Sequence, residues 1–581
     1  MISKYLKQRW QRITFYTVLA IIGTLLLLTL AINIFVTPGL QDKLKSSIRE
    51  SSDSLYSVNF SDADISVLRG NITIKDATLK VDSAVYKKKK QKNTAPNNLY
   101  DLRVKQIRVT GINVFKLYFS NKIDVSKIVL SEPEIDMSYE ANNTEDKQSK
   151  DNRTIWQRMS KSLKSVRVGE IWLNDLTFKH INYAGKRPLK TQVKEMNLRA
   201  VDLFIDSTTQ ADTSRFFYCK DVATEIYNYS GKTPDGLYSY VLKSIKFSTG
   251  TSHLDIQGIT FKPLNSLLFF TKTRSERFNL TLDSLQVNNF DFTNYYKYRT
   301  FSASGVTMSK GTLDVFGAPN KLPNFTKENY TSFPHMAIRK LNFGLKIDTL
   351  NIKKMDIIYS EYNKKSKKNG TLTFNNTTGR LLNITNSKTA LQKNNICKVN
   401  ITSHFMERSR LDVAFALNLT DKDAAFSYKG SLGPMKLSLL NKAIMPISMV
   451  KVTSGNLKRF DFDVDANRYR AKGNMTLLYN DLKINILKLD EDDGRLKKKG
   501  LMSILANAFV IERNNPDEPG KAPRRANITF VRPVSYPFFK IVWKTLFAGA
   551  KECAGVSEMD EKKANAKMSE GDLEKQRGKK D

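Results

Sequence analysis

One apolar pattern recurs along this chain and leaves few folds open to it. With h for an apolar residue it reads h-x-h-x-x-h-x-h-x-x-h-x-h. The first copy places Leu102, Val104, Ile107, Val109, Ile112 and Val114 at the h positions. A second runs from Val166 through Val168, Ile171, Leu173 and Leu176 to Phe178. A third runs from Leu280 through Leu282, Leu285, Val287 and Phe290 to Phe292, and a fourth from Leu345 through Ile347, Leu350, Ile352 and Met355 to Ile357. Shorter relatives begin at Ile123 and Val193. Alternation with period two puts every second side chain on one face of a strand. The two-residue interruption shifts that phase, and a β-bulge or tight corner restores it so that the same face stays inward. A helix would need apolar residues at i, i+3, i+4 and i+7, which these segments do not sustain.

The expected fold class is therefore mainly β: an elongated, twisted antiparallel sheet, with short helices at the two ends and near Leu437–Met445. Roughly 450 residues at about 15 per strand and turn give about 30 strands. An apolar face of that length must be covered. It closes as a sandwich, or it curls into a gutter filled by something apolar. Periodicity alone does not choose between them. In the gutter reading the lining is Val104, Ile107, Val109, Ile171, Leu173, Leu282, Leu285, Val287, Ile347, Leu350 and Ile352.

Ahead of the repeats stands an uncharged apolar run, Ile13 to Val36. As a helix it is about 36 Å long, enough to span a bilayer core with some tilt. Lys4, Lys7, Arg9 and Arg12 precede it without an acidic neighbour, which orients the N-terminus to the cytoplasm. The run is too long for the apolar region of a cleaved signal peptide, and Ile34-Phe35-Val36-Thr37-Pro38 has no small-residue cleavage site. We read it as an uncleaved signal anchor in an inner membrane, with the remainder on the far side.

Lysine and arginine number 94 against 57 acidic residues, a net charge of +37. The runs Lys87–Lys90, Lys364–Lys368 and Lys497–Lys499 fall between strand-like segments, where lysine-rich turns keep strands soluble and unpaired edges blocked. Attraction to anionic lipid headgroups is the functional alternative. An exported domain has little access to nucleic acid, so no nucleic-acid partner is expected. The isolated Cys219, Cys397 and Cys553 form no disulfide framework and no thiolate metal site. His180, His253, His335 and His404 lack metal-ligand spacing, so neither metal nor cofactor is expected. No phosphate-binding glycine loop or nucleophile elbow is present, and Asp461/Asp463 and Asp490–Asp493 sit on a strand and in a turn, so an enzyme is not expected.

Residues 444–488 carry Ser454-Gly455-x-Leu457, then Gly473-x-Met475-x-Leu477-x-Tyr479-x-Asp481-Leu482-Lys483-Ile484. Near the other end stand Val58 to Ser61, Leu68 to Asp76, and the strand-Pro-strand segment Ile128 to Ile135 with Pro133. In this order, behind one anchor, these elements resemble the AsmA-like envelope proteins of Gram-negative bacteria, especially the Bacteroidetes branch. The resemblance implies a repeating β-groove in the periplasm, no catalysis, and phospholipid or another acyl lipid as the partner. It also implies contact with the inner membrane and, in larger members, the outer membrane. This chain is shorter than those members, which puts a full bridge in doubt. Asp-Ser/Thr-apolar triplets at Asp53, Asp82, Asp283 and Asp348 look like the O-glycosylation sequon of exported Bacteroidetes proteins.

The segment 537–549 predicts an amphipathic helix with Phe538, Ile541, Val542, Trp543, Leu546 and Phe547 on one side and Lys540, Lys544 and Lys551 largely elsewhere. It suits a membrane interface or the end of a groove; packing on the last strands is the ordinary alternative. The expected organisation is a cytoplasmic N-terminus (1–12), a signal anchor (13–36), a periplasmic AsmA-like β-groove domain (37–490), a C-terminal segment with the amphipathic helix (491–557) and a charged, disordered tail (558–581). The function expected is phospholipid transfer or envelope maintenance through the groove. The rival is a periplasmic scaffold or envelope-assembly regulator with a closed β-core.

Overall fold

The computed structural model describes residues 46–556 with short internal stretches left out, the longest being 143–155, 318–329 and 501–510. The anchor and the charged tail expected from the sequence lie outside the described residues. Among those described, no helix is long and apolar enough to cross a membrane. The chain divides into two compact units: residues 1–231, 241–258 and 288–299 form one, and 232–240, 259–287 and 300–581 the other.

The first unit holds β1 (Tyr56–Asn59), β2 (Asp62–Ser66), β3 (Asn71–Val81), helix α1 (Ser83–Gln91), β4 (Asn98–Ile112), helix α2 (Val114–Ser120), β5 (Lys122–Tyr139), β6 (Ser165–Asn182), β7 (Leu189–Ile205) and β8 (Asp221–Lys232). β1 and β2 both pair with β3, and β3 to β8 then pair in chain order. Two further strands, β9 (Tyr238–Ser248) and β10 (His253–Pro263), lead on to the second unit.

That unit holds helix α3 (Phe269–Lys272), β11 (Arg277–Asn288), β12 (Thr300–Gly317), helix α5 (Pro334–Arg339), β13 (Gly344–Asn363), β14 (Lys368–Thr385), helix α6 (Lys388–Lys393), β15 (Ile396–Phe405), β16 (Ser409–Asn418) and β17 (Phe426–Leu432). Helix α4 (Phe292–Tyr298) precedes β12 and belongs to the first unit. The run ends with β18 (Met435–Lys436), helix α7 (Asn441–Ser448), β19 (Val450–Ala466), β20 (Arg470–Leu489), β21 (Leu496–Lys498), β22 (Arg525–Val531) and helix α8 (Phe538–Cys553). β13 to β17 pair in order, β17 continues to β19, β19 to β20, and β20 to β22, all antiparallel.

Mainly β stands, but antiparallel throughout does not. β5 and β6 are parallel, and so are β12 and β13. A parallel partner needs a return connection of a dozen residues or more, and residues 140–164 and 318–343 supply it. Among the described residues the strands are also fewer than expected, because individual strands reach 20 residues. Helices are not confined to the ends. Lys87–Lys90 lie in α1, whose N-cap Asp82 accepts from the Ala84 and Val85 amides and whose last turn places lysines against the negative end of the helix dipole. Lys497 and Lys498 belong to β21 rather than to a turn, whereas Lys364–Lys367 form the expected turn, between β13 and β14.

The bulges are where the pattern interrupts. The ladder between β6 and β7 shifts at Leu173/Leu176, and that between β13 and β14 at Ile352/Met355. In each gap the second interrupting residue, Asp175 or Lys354, is left-handed. In the parallel pairs the apolar positions meet one another: Ile123 faces Val166, Ile128 faces Ile171 and Leu130 faces Leu173. Across the other seam Phe301 faces Leu345, Val306 faces Leu350 and Met308 faces Ile352. β12 is thus a further copy of the module. It is disguised because Ala303 and Gly311 stand at apolar positions, and a Cβ on Gly311 would overlap the Thr281 carbonyl.

These correspondences extend to a duplicated layout. β4–α2–β5, a return, then β6–β7 is repeated as β11–α4–β12, a return, then β13–β14. Helix α2 is capped by Asn113, which accepts from the Lys116 amide, and ends at left-handed Asn121. Helix α4 is capped by Asp291, which accepts from the Asn294 amide, and ends at left-handed Arg299. Both helices have 7 residues, and the strand after each has 18. In both places the last h-x-h of the module leaves the strand and starts the helix, at Val114 and Phe292.

Candidate functional site

The residues expected to line a groove meet two fates. In the first unit Val104, Ile107, Val109, Ile171 and Leu173 are buried in a core shared with Val125, Ile128, Val168 and Leu176. Val168 and Leu176 have no exposed surface at all. In the second unit Leu282 and Val287 are buried, whereas Leu285, Ile347, Leu350 and Ile352 remain half-buried. The same pattern therefore builds a closed core in one unit and a part-open apolar face in the other.

A half-open apolar space lies further along the second unit. Helices α7 and α8 cover the inner face of β14 to β20 and leave a cavity of about 250 Å³. Phe374, Phe405, Phe460 and Phe462 form its floor, Ala443, Ile444 and Ile447 one wall, and Trp543, Leu546, Phe547 and Ala550 another; Ser448 is the one hydroxyl residue among them. The Lys364–Lys368 turn fixes α7: Ser366 Oγ donates to the Pro446 carbonyl at 2.7 Å and Asn363 Nδ2 to the Ile447 carbonyl at 2.6 Å. Periodicity could not reveal the cavity, because its walls come from six strands and two helices.

The expected amphipathic helix is α8, and its apolar face is turned to the sheet. Phe538 and Ile541 are buried, Val542 and Leu546 pack on the same core, and Trp543, Leu546 and Phe547 line the cavity. Phe539 is the outward ring, 44% exposed. The lysines do not all lie elsewhere. Lys540 is 5% exposed and donates to Glu361 Oε1 at 2.5 Å, and Glu361 is itself buried at the end of β13. Lys544 stands over the Trp543 ring at 4.2 Å, and burial lowers its pKa from the ordinary lysine value.

Beside this ion pair sits a second carboxylate, Glu276. Burial, reinforced by the Glu361 charge and opposed by Lys540, pushes its pKa up to about 7. Burial likewise raises the Tyr359 hydroxyl far above the ordinary tyrosine range, with Glu361 and Glu276 adding to it. A carboxyl whose folded pKa exceeds the unfolded value near 4.3 binds its proton more tightly when folded. It adds stability below about pH 4 that is lost as pH rises through 7. Glu276→Gln is therefore expected to raise the unfolding free energy at pH 8 by about 2 kcal/mol, after allowing for part exposure, and to leave it unchanged at pH 4. Urea titrations at the two pH values check this; an equal effect at both would show that Glu276 ionises normally.

Asp412 and Asp461 lie on the opposite, polar face of the sheet. Asp412 accepts from Arg410 and Thr402, and Asp461 from Arg459. Arg410 and Thr402 hold the Asp412 carboxyl below its usual range. These are arginine-paired positions on an open sheet face, an arrangement that suits solubility rather than proton transfer. Cys219, Cys397 and Cys553 are buried free thiols, with burial pushing Cys219 up to about 12 and Cys397 to about 11, which keeps them from acting as thiolates. Among the described residues no three His, Cys, Asp or Glu side chains converge as a metal site.

The C-terminal motif is structural. Ser454 Oγ donates to the Asp481 carbonyl at 2.6 Å, and Gly455 and Asp481 both adopt positive φ where the β19–β20 ladder shifts register. The motif thus pins a bulged hairpin whose buried Leu457, Met475 and Tyr479 belong to the core around the cavity. No protein-family model matches the chain, and no curated protein matches it either.

Proposed function

We propose that this chain is a non-enzymatic, membrane-anchored AsmA-like protein that holds phospholipid acyl chains and passes them between membranes, or maintains the envelope by doing so. The observation that carries the reading is the cavity under α7 and α8, whose lining is almost wholly apolar. Filled with groups of roughly water-sized volume, about 30 Å³ each, it takes on the order of eight methylenes. At about 0.8 kcal/mol per buried methylene, that is about 6 kcal/mol, obtained without any polar contact. The half-buried Leu285, Ile347, Leu350 and Ile352 offer the same chemistry along the second unit. Exposed Leu264, Leu267 and Leu268, with Leu267 at 92%, sit between exposed Lys262 and Lys272, a combination suited to an anionic bilayer surface.

The full-length chain mixed with vesicles carrying a diazirine-acyl phospholipid should be labelled on peptides of α8 and β19. Ala550→Trp, which fills the cavity, should cut that labelling about tenfold while the melting temperature holds. Equal labelling of the filled variant would remove the cavity from the function. A second reading has one observation behind it: the first unit's core is closed, as a scaffold requires. Labelling absent from every peptide, with a stable folded chain, would favour that reading.

A further inference from the structure

Trp543, part of the cavity lining, adjoins a buried polar cluster whose atoms lack well-aligned hydrogen-bond partners. Trp543 lines the cavity, yet its Nε1 makes no hydrogen bond. The Tyr359 hydroxyl faces both Trp543 and Glu361 without forming a well-aligned bond to either. Glu361 Oε2 and Glu276 Oε1 are buried acceptors with no donor, although the other oxygen of Glu361 holds Lys540. Glu361 is 7% exposed and Tyr359 6%. Buried polar atoms are nearly always paired, so several unpaired ones in one cluster mark a place built for a polar guest.

The duplicated layout shows what is special about this cluster. Tyr139 of β5 stands opposite Asn182 of β6, and Met137 opposite His180. At the equivalent positions of the second copy Gly317 stands opposite Glu361, and Val315 opposite Tyr359. A tyrosine side chain in one copy is thus replaced by no side chain in the other, while an amide is replaced by a carboxylate. A Cβ on Gly317 would stand 3.2 Å from the Tyr359 hydroxyl and 3.7 Å from Glu361 Cγ, so the glycine keeps the space in front of both groups clear.

Resting on the lipid reading, we propose that Gly317, Tyr359, Glu361, Glu276 and Trp543 form a headgroup cradle that selects amphiphiles with a primary ammonium beside a phosphate or ester oxygen. The ammonium supplies N–H donors to the two free carboxylate oxygens, and Trp543 and Tyr359 donate to the neighbouring oxygen. A quaternary ammonium has no N–H to give. A glycerol headgroup offers hydroxyls but no charge to set against the second carboxylate.

The test uses the full-length chain in vesicles with three diazirine-acyl probes that differ only in headgroup: ethanolamine, choline and glycerol. The ethanolamine probe is expected to label α8 about tenfold more than the choline probe, the scale of one charge-assisted hydrogen bond. Glu276→Gln and Gly317→Val should each bring the ethanolamine signal down to the choline level and leave the other two unchanged. Equal labelling by all three probes in the wild-type chain overturns the cradle while acyl binding stands. A preference that survives both substitutions places recognition elsewhere and also overturns it. Absence of labelling with every probe overturns the lipid reading on which the cradle rests.

Discussion

Val109→Asp is expected to abolish cooperative unfolding of the first unit, whereas Leu285→Asp should leave the second folded. Val109 is the fourth apolar position of its copy and Leu285 the third of its own, and their surroundings differ: Val109 is 2% exposed and Leu285 is half-buried. Keeping a buried aspartate protonated at pH 7 costs about 4 kcal/mol, and the lost valine burial adds about 2 more. That total rivals the whole stability of an ordinary domain. At Leu285 the carboxylate can reach water, and the loss is about 1 kcal/mol. Circular dichroism melts of the two full-length variants would decide it. A native-like transition in Val109→Asp would mean that the first unit's apolar face is open to water.

Lys540→Met should destabilise the second unit by about 3–5 kcal/mol, because it leaves Glu361 buried without its cation. The geometry makes a surface-type estimate inapplicable: both side chains are under a tenth exposed. Pairing it with Glu361→Gln should recover most of the loss, since no buried charge then remains uncompensated. Urea unfolding of the single and double variants measures the coupling directly. If Lys540→Met alone cost under 1 kcal/mol, the ion pair would be behaving as a solvent-screened one.

The strands and their bulges were legible because period-two alternation and its two-residue interruption are local properties. Val166 to Phe178 and Leu345 to Ile357 could be read without knowing their partners, and both are strands with the bulge in the gap. Parallel pairing was not legible. It depends on where the chain returns after residues 140–164 and 318–343, and no strand records that in its own pattern. β12 escaped for a different reason: small Ala303 and Gly311 occupy apolar positions, and at Gly311 a neighbouring backbone comes close. The polar cluster was invisible in the sequence because Lys540 and Glu361 are 179 positions apart. The lysine spacing of α8 suggested a wet face, and only the tertiary partner shows why one lysine lies inside. Lys87–Lys90 misled in the opposite direction, since a lysine run suits a dipole-stabilised helix end as well as a turn.

The two parallel seams also bear on how long the chain takes to fold. An antiparallel neighbour can zip up from a short turn soon after it is made. β6 cannot meet β5, nor β13 meet β12, until the long intervening stretch of chain has brought them together, and that entropy is lost before any contact compensates for it. Until then the edges of β5 and β12 stay unpaired, each presenting a row of free amides and carbonyls to any passing strand. The seams are therefore the slow joints of the molecule. Synthesis or refolding that stalls there leaves an open edge ready to pair with another chain.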